Sequence, residues 1–144
     1  MLKKQITYTD FNDQEVTEVF YFNLSKPELI ELEVEYDGAG FGAMIQGIID
    51  AQDRKKLIEV FKRVILLAYG EKSEDGRKFV KNDRIREDFA STAAYTHLFT
   101  ELATDEKAAA DFINGIMPAD MLEGRDQDKP VTQGTTTDVV TKEV

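Results

Sequence analysis

The 144-residue sequence contains no cysteine. That excludes a disulfide framework, a thiolate nucleophile and a cysteine-built zinc site, and it fits a reducing compartment such as the cytosol. Histidine is nearly absent as well. His97 stands alone, which removes any His-based metal cluster and leaves at most one imidazole for acid-base work. Long hydrophobic runs are missing: the longest, Val64 to Tyr69, is far too short to cross a bilayer, and no membrane partner is expected. The opening residues Met1-Leu2-Lys3-Lys4-Gln5 lead into an alternating segment, without the apolar stretch and cleavage site of a secretory signal. Positive charge is also scarce, with 18 Lys and Arg against 28 Asp and Glu for a net charge of −10. Such a chain repels polyanions, so nucleic acid is not an expected partner.

What is present suffices to fold. Hydrophobic residues make up 42% and charged residues 32%, enough apolar content for one domain to offset the conformational entropy of ordering it. Leu2, Lys4, Ile6 and Tyr8 alternate with their neighbours, Asp10-Phe11-Asn12-Asp13 supplies turn formers, and 15–22 is rich in β-branched and aromatic residues. This pattern predicts an antiparallel β-hairpin. Ser25 followed three residues on by Glu28 has the capping-box spacing, with Pro27 in the first turn, so a helix begins there with Leu29, Leu32 and Tyr36 on one face.

A second apolar stripe, Met44, Ile45, Ile48 and Ile49, predicts another helix. Asp53 caps a third, carrying Leu57, Ile58, Phe61, Val64, Ile65 and Leu67, with Gly70 as its expected stop. Because that helix is apolar on more than one side after Val60, it is expected to be the central element. The charged stretch 71–81 reads as a loop or short irregular hairpin around Asp75-Gly76. Helices capped by Asn82 or Asp83, by Thr92 and at Thr104-Asp105 follow, the last ending before Pro118. The expected fold is α+β, an N-terminal hairpin packed on five or six short helices. Residues 1–122 form the folded domain, and 123–144, which lack aromatic residues, form a disordered tail.

Candidate chemistry is thin. His97 has no visible partner to make it a general base. Glu31, Glu33 and Glu35 alternate around a helix, as on a solvated face. Asp126-Gln127-Asp128-Lys129 lacks the downstream glycine and glutamate of a calcium loop. Gly38-Ala39-Gly40-Phe41-Gly42 follows a helix, not a strand, and carries no Lys-Ser/Thr, so it reads as a helix linker instead of a phosphate cradle. No catalytic, cofactor or metal residue is expected. The surplus of Phe11, Phe20, Tyr21, Phe22 and Phe41 is consistent either with a hairpin buried on two sides or with a partner surface.

The segments 61–73, 75–81, 89–105 and 108–118 resemble the tail assembly chaperones of tailed bacteriophages: FKRVILLAYGEKS, DGRKFVK, FASTAAYTHLFTELATD and AAADFINGIMP. The resemblance covers roughly residues 2–120 and consists of packing patterns, with no catalytic signature. It implies a factor working in the cytoplasm of the infected bacterial host, which binds the tape measure protein before the tail tube polymerises and is absent from the finished virion. It also implies a longer frameshifted form that recruits tail tube protein; homo-oligomers are compatible with it. A chaperone of this kind needs an adaptable apolar groove, and Phe41, Met44 and Ile45 are the expected partner-binding residues. The alternatives are a small structural tail or virion component, or an acidic inhibitor of a host protein.

Overall fold

The computed structural model describes residues 1–36 and 40–118. The elements run β1 (Leu2–Thr9), β2 (Glu15–Phe22), α1 (Lys26–Glu35), α2 (Phe41–Asp50), α3 (Arg54–Ala68), β3 (Tyr69–Lys72), β4 (Phe79–Val80), α4 (Asp83–Ala90), α5 (Ala93–Thr104) and α6 (Glu106–Ile116). This is the expected α+β arrangement, an N-terminal antiparallel hairpin with six helices among the described residues. The expected boundary at 122, the tail from 123 and the acidic run Asp126-Gln127-Asp128 lie outside the described residues.

The hairpin follows from local chemistry. The Asp10 carboxylate accepts hydrogen bonds from the backbone N–H of Asn12 at 2.8 Å and of Gln14 at 2.9 Å, and Asp13 takes a left-handed φ of 60°, which Asp tolerates better than most residues. β1 and β2 pair in full register from Leu2↔Phe22 to Thr9↔Glu15. The alternation of β1 then turns Ile6 into the core while Lys3, Gln5 and Thr7 face water.

Each helix begins where a side chain satisfies its first N–H groups. Ser25 and Glu28 form the reciprocal capping box of α1, and Asp53, Asn82, Thr92 and Asp105 cap α3, α4, α5 and α6. At α2 the cap comes from another helix: the Glu33 carboxylate accepts from Phe41 N–H at 2.8 Å. The third helix does not stop at Gly70. It ends at Ala68, Tyr69 turns to extended backbone, and Gly70 lies buried within β3. No side chain fits there, since an added Cβ would stand 2.8 Å from the Phe79 ring and 3.0 Å from the Val80 carbonyl oxygen.

The four strands form one sheet in the order β1-β2-β3-β4, each neighbour antiparallel. The charged stretch after α3 is thus a hairpin, and β3 meets β2 at Tyr21↔Gly70 and Phe22↔Tyr69. Phe22, fully buried, stands among Tyr69, Phe89 and Phe112, with ring centroids at 5.7, 5.8 and 5.3 Å. Tyr69 stacks flat on Phe89 at 4.1 Å. α3 supplies six buried residues, Val60, Phe61, Val64, Ile65, Leu67 and Ala68, and packs against α2, α4 and α5. The end of the hairpin is tied to the helices by Asn23 N–H to Ala68 C=O and Leu24 N–H to Ile116 C=O.

Candidate partner-binding surfaces

Among the described residues no polar or charged side chain is buried, and no three His, Cys, Asp or Glu side chains converge on a point that would hold a metal ion. His97 lies exposed on α5. The features that stand out are apolar.

The expected partner-binding residues start α2. Phe41 and Met44 point inward and join the core with Ile48. Ile45 is half-buried against that core, and Ile49, one turn further on, is exposed. The structure therefore divides the expected trio between a floor and an accessible rim. α1 has the reverse character. Leu29 and Leu32 are buried, while Ile30 and Val34, four residues apart, are 58% and 77% exposed on the opposite side. A helix apolar on two faces has more hydrophobic surface than its own core needs.

The α1 glutamates do more than solvate a face. Glu33 caps α2, Glu35 pairs with Arg63 of α3 at 3.2 Å, and Glu28 pairs with Lys81 at 2.7 Å. Lys81 also donates to the Asn23 carbonyl at 2.6 Å. Burial pulls the Lys81 ammonium below its usual pKa, while the Glu28 partner opposes that shift. Sequence spacing shows the Ser25–Glu28 cap but not the pairs with Lys81 and Arg63, whose partners lie far along the chain.

Two further features stand out, and only the first had no signal in the sequence. A shallow cleft opens between the N-terminal half of α3 and the C-terminal half of α5, lined by Arg54, Leu57, Ile58, Phe61, Phe99 and Ala103. The periodicity of α3 marked Leu57, Ile58 and Phe61 as apolar, but it carries no sign that Ile58 remains 38% exposed. The other is the hairpin tip, where Phe11 is 82% exposed. Of the surplus aromatics, Phe22 and Phe41 are buried and Phe20 and Tyr21 half-buried, so the hairpin absorbs most of them.

The domain is thus small and α+β, acidic in its balance of charge, with apolar residues exposed on helix faces. The chain matches the phage tail assembly chaperone family over residues 1–143 and belongs to that family. No curated protein and no solved structure matches it. No helix among the described residues is long and apolar enough to cross a membrane.

Proposed function

We propose that this chain binds the tape measure protein and keeps it soluble while the tail tube assembles, working in the cytoplasm of the infected bacterial host and leaving before the virion is complete. Family membership across nearly the whole chain carries the reading. The physical character of the domain supports it, because long apolar helix is what a tape measure exposes before the tube covers it, and accessible aliphatic rows are what would cover such a helix meanwhile.

Within this proposal Ile45 and Ile49 make first contact on α2. Phe41 and Met44 meet the partner only when α1 and α2 shift apart, and the flexible side chain of Met44 then adapts to the partner's shape. A longer frameshifted form would add contact with tail tube protein. Neither catalysis nor a cofactor is part of the function.

The test is co-expression with the neighbouring tape measure gene, followed by solubility and pull-down. The partner is expected in the soluble fraction only when the chain is present. Raising sodium chloride from about 0.1 to 1 M shortens the Debye length from about 10 to 3 Å, and apolar contact should survive it. Absence of capture at every salt concentration removes the assignment to the tape measure, and complete loss at high salt removes the apolar mechanism.

A further inference from the structure

The surface that holds Phe41 and Met44 already has an occupant, and that occupant is a helix. α1 packs chiefly on α2, with Leu29 and Leu32 turned into the core and Glu33, next in sequence, taking the Phe41 N–H at 2.8 Å. Its two ends are held differently. At the start, Glu28 and Lys81 pair at 2.7 Å with side chains only 20% and 12% exposed, and Leu24 N–H is bonded to Ile116 C=O. At the end, the side chains of the Glu35–Arg63 pair are 46% and 43% exposed, and water screens such a pair to little net worth. The last turn is also poorly built as a helix. Glu33 and Glu35 sit where the helix dipole disfavours negative charge, and no basic residue stands in that turn. Val34 is β-branched and exposed, and the helix ends on Tyr36 at φ −108°, without the left-handed cap that closes many helices. Glu59 of α3 bears on the Tyr36 hydroxyl together with Glu35, so like charge also faces this end. α1 brings two buried residues to the fold where α3 brings six, and its last turn is held by clasps to other helices more than by itself.

We propose that α1 is a resident stand-in for the partner: its last turn peels away at Glu33 and Glu35, and the floor of Phe41 and Met44 so uncovered takes an amphipathic helix of the tape measure protein that carries bulky aliphatic residues three apart and a carboxylate next to the second. This deepens the proposed function and rests on it. The chemistry of the occupant is read from α1 itself, because the replacement meets the same apolar floor and the same Phe41 N–H, which the first turn of α2 leaves without a partner of its own. The closed form lowers affinity by the fraction of chains that are open, and it keeps Phe41 and Met44 out of water until a matching helix arrives.

The chain has no cysteine of its own, so Glu35→Cys/Arg63→Cys places the only two thiols at positions whose native side chains meet at 3.2 Å in the closed form, where a short bis-maleimide bridges them. The bridge ties α1 shut, and because it constrains the unfolded chain it should leave the melting temperature unchanged or raised. Full-length tape measure protein is diluted from denaturant into the wild-type chain, the unbridged double variant or the bridged one, and the protein left in solution is measured. The first two are expected to keep it soluble at similar concentrations, and the bridged form to need about tenfold more or to fail. Hydrogen exchange on the wild-type complex reads the motion itself. The last turn of α1, including Tyr36 N–H on Leu32 C=O, should exchange faster in the complex than in the free chain, and Phe41 and Met44 N–H more slowly. Equal performance by the bridged form overturns the stand-in and leaves the function standing, as does a last turn of α1 that gains protection in the complex. Loss of activity in the unbridged double variant overturns it too, since Glu35 and Arg63 would then belong to the seat and not to the clasp. Failure of the wild type to keep any of the partner soluble overturns both.

Discussion

Phe11 and Phe22 belong to the same hairpin and the same residue type, yet the fold gives them opposite surroundings, so truncating each to alanine separates packing from composition. Phe22 is 0% exposed and touches the rings of Tyr69, Phe89 and Phe112. Deleting a buried Phe ring costs about 3–5 kcal/mol, a total that already includes the lost ring contacts. A domain of this size has about 5–15 kcal/mol to lose, and each kcal/mol moves the melting temperature by about 3–4 °C. Phe22→Ala should therefore melt roughly 10–20 °C lower, and Phe22→Leu, which keeps most of the volume, should fall well short of that. Phe11, at 82% exposure, should cost less than about 0.5 kcal/mol. Urea unfolding followed by far-UV circular dichroism reads both, with an unchanged m-value showing that the native state alone was altered. The reasoning fails if Phe22→Ala costs under about 1 kcal/mol, or if Phe11→Ala costs as much as Phe22→Ala.

Leu98, buried where α5 faces the core, and Phe61 of α3 should each lose about 2–5 kcal/mol on substitution by alanine in the same assay; a loss under about 0.5 kcal/mol would place them on the surface. Lys81→Ala, which strips Glu28 and the Asn23 carbonyl of a shared donor, should cost about 1–3 kcal/mol, and Lys81→Met, which keeps the length of the apolar stem but loses the ammonium over the Phe79 ring, should cost less; equal losses would show that the charge, not the packing, carries the whole effect. The hydrogen bond from the Tyr8 hydroxyl to the Glu18 carboxylate raises the Tyr8 pKa from 10.0 to about 12. Because the folded state holds that proton longer than the unfolded chain, the contribution is complete below pH 10 and is lost as pH rises through about 12. Burial also raises Tyr36, Tyr69 and Tyr95, so in a base titration followed by tyrosinate absorbance Glu18→Gln should bring only the latest phase back toward 10; an unchanged late phase would remove the pairing.

What the sequence determined by itself was whatever is written over three to five residues. The Asp10 turn, the capping box of Ser25 and Glu28, and the caps at Asp53, Asn82, Thr92 and Asp105 each join a side chain to a backbone N–H close by in the chain, so spacing alone reveals them. Alternation and helical periodicity separated Ile6, Leu29, Leu32, Val64 and Leu98 as inward residues for the same reason. The tertiary structure decided everything that depends on which elements meet. Gly70 reads as a helix stop, and only the pairing of Tyr21 with it, across 48 intervening positions, makes it a strand residue that Phe79 covers. Glu33 reads as a solvated acid, and only the return of α2 makes it a cap. Met44 and Ile45 read as part of one apolar stripe and Phe41 as part of a glycine-rich linker, yet α2 already begins at Phe41, and its packing on α3 took Phe41 and Met44 inward while leaving Ile45 at the rim. The α3–α5 cleft arises because the apolar side chains of two helices far apart in the chain do not fill the space between them at one end, a matter of shape that hydrophobic periodicity does not encode.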